Sequence, residues 1–202
     1  MSKGYRPIHP MGVRMRAIAI GIFLIFSAFV SHAAVYESAV DVSFPDEIGG
    51  LPFVGRQGFP EKELGISLTY ERALLRGSVF IYDGGLRSLP SGTGSEAVRR
   101  HFDQVIGDVK QMETSGQYRA VTFVGPAVTT TSYPGCGPQF LAREFVMVTR
   151  EGVTRPSFAY LTVLNGNFVK LRVSYLATGN HNRQEVERFV MQLRKVLGKC
   201  PA

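Results

Sequence analysis

SFAYLTVLNGNFVKLRVSYLATGNHNRQEVERFVMQLRKVL, residues 157–197, decides how the rest of the chain is read. Phe158 to Leu164 is rich in β-branched and aromatic residues, and so is Phe168 to Tyr175. Between them stands Asn165-Gly166, a pair that tolerates the positive φ of a type I′ turn, so the spacing predicts a β-hairpin. In the second strand Val169, Leu171, Val173 and Tyr175 share one face, and Lys170, Arg172 and Ser174 share the other. That alternation predicts one core face and one wetter face. The first strand is apolar on both faces, the pattern of a strand covered on both sides.

Asn180-His181-Asn182 then ends the strand. Asn182 with Glu185 three residues on reads as a capping box. Val186, Phe189, Val190, Leu193, Val196 and Leu197 fall on one helical stripe,. Glu185 and Glu187 lie near the helix start and Arg194, Lys195 and Lys199 near its end, as the helix dipole favours. Gly198 is the expected stop. A hairpin followed at once by such a helix predicts that the helix packs back across the sheet.

Upstream, Val40, Val42 and Phe44 alternate into a short strand ending at Pro45. The Gly- and Pro-rich residues 46–60 read as irregular, with Phe53, Val54 and Phe59 tucked into the core edge. Ile66, Leu68 and Tyr70 alternate with Ser67, Thr69 and Glu71, which predicts a half-buried strand. Gly77 to Tyr82 is another strand, closed by Asp83-Gly84-Gly85. Residues 86–94 read as a loop. From Ser95 to about Thr114 the apolar positions Val98, Phe102, Val105, Val109 and Met112, widened by Ile106, predict an amphipathic helix. Gly116 ends it. Strands follow over 119–124, continuing through 128–132, and over 139–150, where Glu151-Gly152 turns toward the hairpin. Short turns between neighbouring strands require antiparallel pairing. The expected class is α+β, one antiparallel sheet packed with two main helices.

The first 33 residues read as an address. Lys3, Arg6, Arg14 and Arg16 precede an uncharged apolar run from Ala17 to Val30, and Ser31-His32-Ala33 fits a small-x-small cleavage site,. The run is shorter than the roughly 20 residues a spanning helix needs. The expectation is a cleaved signal peptide over 1–33, a single domain over 34–202, and a periplasmic protein that meets the membrane only during export. The retained alternative is an uncut signal-anchor. The whole chain carries a net charge of +7 from 23 basic and 16 acidic residues. Four of the basic residues and none of the acidic ones precede Ala34, so 19 minus 16 leaves +3 on the mature chain. That ordinary value argues against a nucleic-acid partner. Two cysteines, Cys136 and Cys200, remain in an oxidising compartment, where a disulfide is expected. It would tie the end of the last helix to the turn around residues 133–138. A reactive thiol or metal ligand is the alternative.

The element order resembles the PsbP-like superfamily, an antiparallel sheet between helices. The residues that carry the resemblance are Val42-Ser43-Phe44-Pro45 at the start and the hairpin, polar loop and final helix from Tyr160 to Leu197. The resemblance is one of architecture across most of the mature chain. It implies a non-enzymatic accessory or assembly role with a protein or small-ligand partner.

Motifs for chemistry are sparse. His101 and His181 are the histidines of the mature chain, and neither sits in a zinc-binding spacing, so no metal centre is expected. No G-x-S-x-G elbow, Walker loop or dinucleotide fingerprint is present, so no cofactor is expected. Ser91-Gly92-Thr93-Gly94-Ser95 opens the first helix and Arg99 and Arg100 follow. Ser91, Thr93, Ser95, Arg99 and Arg100 are therefore a candidate anion site, set against the plainer reading of an N-cap with two solvated arginines. Asp83 and the Glu61-Lys62-Glu63 run read as solvated charge. Tyr70, Tyr82 and Tyr160 read as core or, alternatively, as the lining of a groove. The leading expectation is an exported binding or accessory protein without catalysis. A hydrolase built around His101 and the Ser91–Ser95 loop, or a small-molecule carrier with a pocket between sheet and helix, are the alternatives.

Overall fold

The computed structural model describes residues 35–130, 136–177 and 182–200. The quoted stretch folds as β9 (Thr154–Leu164), β10 (Asn167–Tyr175) and α2 (Arg183–Leu197). Asn165 and Gly166 take φ of 48° and 73°, the left-handed pair that a type I′ turn demands,. The turn also has a second task. Asn165 Nδ2 donates to Val40 O and Asn167 Nδ2 to Ala39 O, both at 2.9 Å. These bonds hold the turn of an N-terminal hairpin, β1 (Val35–Glu37) and β2 (Val42–Phe44).

The main sheet has eight strands, all pairs antiparallel. Besides β9 and β10 it contains β3 (Glu47–Ile48), β4 (Leu51–Gly58), β5 (Ile66–Arg72), β6 (Leu75–Tyr82), β7 (Ala120–Thr129) and β8 (Leu141–Val148). The order is β3-β4-β5-β6-β10-β9-β8-β7. Two meanders thus meet at a β6–β10 seam, where Val79 pairs with Leu171. Helix α1 (Glu96–Thr114) carries the chain from one meander to the other.

Each helix covers one face of the sheet. On one side Val186, Phe189, Val190, Leu193 and Leu197 of α2 join Leu68, Tyr70, Val79, Phe158, Leu171 and Val173 in a buried cluster that also takes in Val42 and Phe44. On the other, Val98, Phe102, Val105 and Val109 of α1 pack with Val121, Phe145, Met147, Leu161, Val163 and Phe168. Residues 157–163 of β9 are all buried, as expected for a strand with both faces covered,. α2 sits close because Gly77 in β6 has no side chain: a Cβ there would meet Phe189 Cζ at 2.6 Å. The capping box on α2 is present, with Asn182 Oδ1 accepting from Glu185 N and Glu185 Oε2 accepting from Asn182 N. Cys136 and Cys200 form a disulfide, with Cα atoms 5.9 Å apart. Arg194 Nε donates to Pro138 O at 3.0 Å beside it.

Two expectations need correction. Residues 46–60 are not irregular but supply β3 and β4, and Val54 is 56% exposed rather than tucked inward. Pairing of Pro52 with β3 and of Gly55 and Gly58 with β5 overrides their weak strand preference, and a register shift between Phe53 and Gly55 absorbs the misfit,. The strand expected over 139–150 is shorter, Leu141–Val148. The 128–132 continuation is part of β7 as far as Thr129, and residues 131–132 lie outside the described residues. His181 and residues 133–135 of the expected turn also lie outside them.

Candidate functional site

The face of β10 that alternation marks as wetter is the one on which α1 lies. α1 rests on β7, β8 and β9. Between its flank and the β6–β10 pair runs a groove. Two adjoining cavities, about 310 Å³ and about 170 Å³, share Phe80, Val105, Asp108 and Lys170 as lining. Tyr82, His101 and Gln104 complete the larger one, with Phe59 and Leu64 at its side. Val109, Met112, Ala159 and Arg172 complete the smaller one.

Pairing register explains the arrangement. Lys170 lies opposite Phe80, so its side chain rises beside aromatic rings rather than into water. Its Nζ sits 4.6 Å from the Phe80 ring centre and 5.3 Å from that of Tyr82, geometry in which the ring faces attract the cation. Burial pushes the Lys170 ammonium below its ordinary value; Asp108 across the groove works against that, while Arg172 adds to it. Among the described residues no carboxylate lies within ion-pair distance of Lys170 or Arg172. Arg172 lies with its Cζ 4.8 Å from the centre of the Phe145 ring, and its Nη2 is 2.9 Å from Met147 Sδ. Burial lowers its pKa as well.

His101 closes the aromatic end. Its ring stacks on Phe168 at 4.1 Å, and its Nε2 is 2.7 Å from the Tyr82 hydroxyl. Burial first, then Lys170, lowers the imidazole pKa; the Gln104 side chain and Asp108 oppose the shift. Burial raises that of the Tyr82 phenol, with Asp108 adding to it. Both shifts favour the neutral forms, so the contact is a hydrogen bond between neutral groups,.

The sequence-derived candidates fare differently. Ser95 is the N-cap of α1, its Oγ accepting from Val98 N at 3.3 Å. Gly92 exchanges backbone hydrogen bonds with Val163, which stitches the 91–95 loop to the end of β9. Thr93 is buried, and Ser91 is exposed. Arg99 and Arg100 point to the exposed face, where Arg100 approaches Glu96 at 3.6 Å. Of the three tyrosines, Tyr82 lines the groove, Tyr70 is in the core, and Tyr160 borders a separate depression with Arg183. Lys170, Arg172 and Asp108 were not singled out from sequence. The signal for the first two was present in the polar alternation of β10, but which helix would cover that face was not.

Among the described residues there is no cluster of three or more metal-ligating side chains, and no helix is long and apolar enough to cross a membrane. No protein-family model matches the chain, and no curated protein matches its sequence.

Proposed function

We propose that this chain is an exported, periplasmic binding or accessory protein of the PsbP-like sandwich type. In this reading it is delivered by a cleaved signal peptide and takes a small amphiphile in the groove beside α1. The observation that carries the binding site is Lys170: a cation drawn out of water into an aromatic cleft, with no carboxylate within ion-pair distance among the described residues. A group held at such a cost to stability is the kind that ligand binding requires. Apolar walls with a few convergent polar groups suit a ligand with a hydrophobic body and one anionic end. The disulfide fits the exported setting,.

Titration with cis-parinaric acid, a fluorescent long-chain carboxylate, tests the site. Saturable binding of one molecule per chain is expected. Loss of one charge-assisted contact in Lys170→Met should weaken it about tenfold, and Val105→Trp should block it. Equal affinity in Lys170→Met, or no saturable binding by the folded protein, would refute the reading.

A further inference from the structure

We propose that a second depression on the same sheet face, lined by Arg76, Arg155 and Arg172, binds a phosphoryl group. The site is separate from the amphiphile groove, although Arg172 borders both. Strand register builds it. Arg172 lies opposite Ser78, Ser174 opposite both Arg76 and Ser157, and Arg155 opposite Met147. Three arginines from three strands therefore share one side of the sheet with serine hydroxyls between them. The depression holds about 200 Å³, and Ser78, Ser174 and Tyr118 add to its lining. Among the described residues no carboxylate lines it; Glu71 approaches Arg76 at 3.8 Å on its exposed side.

The second observation is unmet hydrogen-bonding capacity. Nε of Arg155 and Nε of Arg172 are both buried and have no hydrogen-bond partner among the described residues. A buried donor without an acceptor is costly, and more so on a cation. Ser157 Oγ and Ser174 Oγ are 2.8 Å apart, so one of the pair donates to the other. An acceptor-rich group is what such a constellation lacks. Guanidinium forks match planar pairs of oxygens, and three of them exceed what a single carboxylate can use. A phosphoryl dianion supplies three free oxygens and two charges, which answers both the number of donors and the surplus of positive charge.

The phosphoryl group can belong to a soluble phosphate or to a lipid headgroup, and the experiment separates these sources. Wild type and the Arg76→Gln/Arg155→Gln double variant are titrated by calorimetry with inorganic phosphate and with glycerol phosphate, against chloride at equal ionic strength. Both are also spun with vesicles of phosphatidic acid in phosphatidylcholine and of phosphatidylcholine alone. Saturable binding to the soluble phosphates or to the phosphatidic acid vesicles is expected. In the double variant it should fall by at least about tenfold, the loss of one charge-assisted contact or more. Because Arg155 Nε is a buried donor without a partner among the described residues and Arg76 has only an exposed contact with Glu71, the ligand-free variant should melt close to wild type,. Should it fail to fold, Arg155→Lys keeps the charge but loses the fork, and several-fold weaker phosphate binding is expected. Absence of saturable binding in every arm, or unchanged affinity in the folded variants, would overturn the proposal. Parinaric acid binding reads the groove separately, so one site can fail while the other stands.

Discussion

Glu37 shows what a single side chain can be made to do. It is a carboxylate only 5% exposed on the short N-terminal hairpin, and Arg56 of β4 grips both of its oxygens. Removing the arginine strands a buried charge. Arg56→Ala is therefore expected to destabilise the fold by about 2 kcal/mol, the range for a hydrogen-bonded charge left unpaired, measurable by urea denaturation. His101 sets a different dependence. Its pKa is lowered in the folded chain, chiefly by burial. The unfolded chain then takes up the proton first, so its contribution to stability is intact above the free imidazole value of 6.5 and is lost as pH falls through the folded value,. Thermal melts between about pH 7 and about pH 5 should fall more steeply for wild type than for His101→Gln. Equal slopes would mean that the ring is not shielded from water.

At the level of elements, the last helix is the most legible part of the chain. Its cap, stripe and stop all lie within a few residues of one another, so local chemistry suffices to define it. Asn182→Ala should cost about 1 kcal/mol through the lost capping bond. Gly77→Ala should cost about 1–3 kcal/mol through overpacking against Phe189,, and equilibrium unfolding of the two variants checks both. The residues of β4 were illegible for the opposite reason. Pro52, Gly55 and Gly58 carry no strand signal, and only pairing with the neighbouring strands, β3 for Pro52 and β5 for the glycines, imposes one. The groove was half legible. Alternation in β10 put Lys170 and Arg172 on one face, but whether a polar face meets solvent or a helix flank depends on α1, whose arrival there no local pattern encodes. The arginines of the second depression come from three strands, and only the pairing register brings them together.

For the molecule as a whole, the Cys136–Cys200 bond clasps the end of α2 to the segment leading into β8. Closing a loop of about 65 residues corresponds to roughly 4 kcal/mol in the chain-entropy account. Reduction with dithiothreitol is expected to lower the melting temperature by roughly 10 °C, while far-UV circular dichroism of the cold protein stays native. The β6–β10 seam imposes a further condition, this time on the order of events. Residues 75–82 emerge from the ribosome well before residues 167–175, and until the later strand arrives the earlier one shows a bare hydrogen-bonding edge,. Slow closure of distant strands lengthens that exposure. The nascent chain is thus vulnerable to sticking to its own copies for as long as its two halves remain apart, and a holding chaperone that shields the first meander would raise the yield of folded protein.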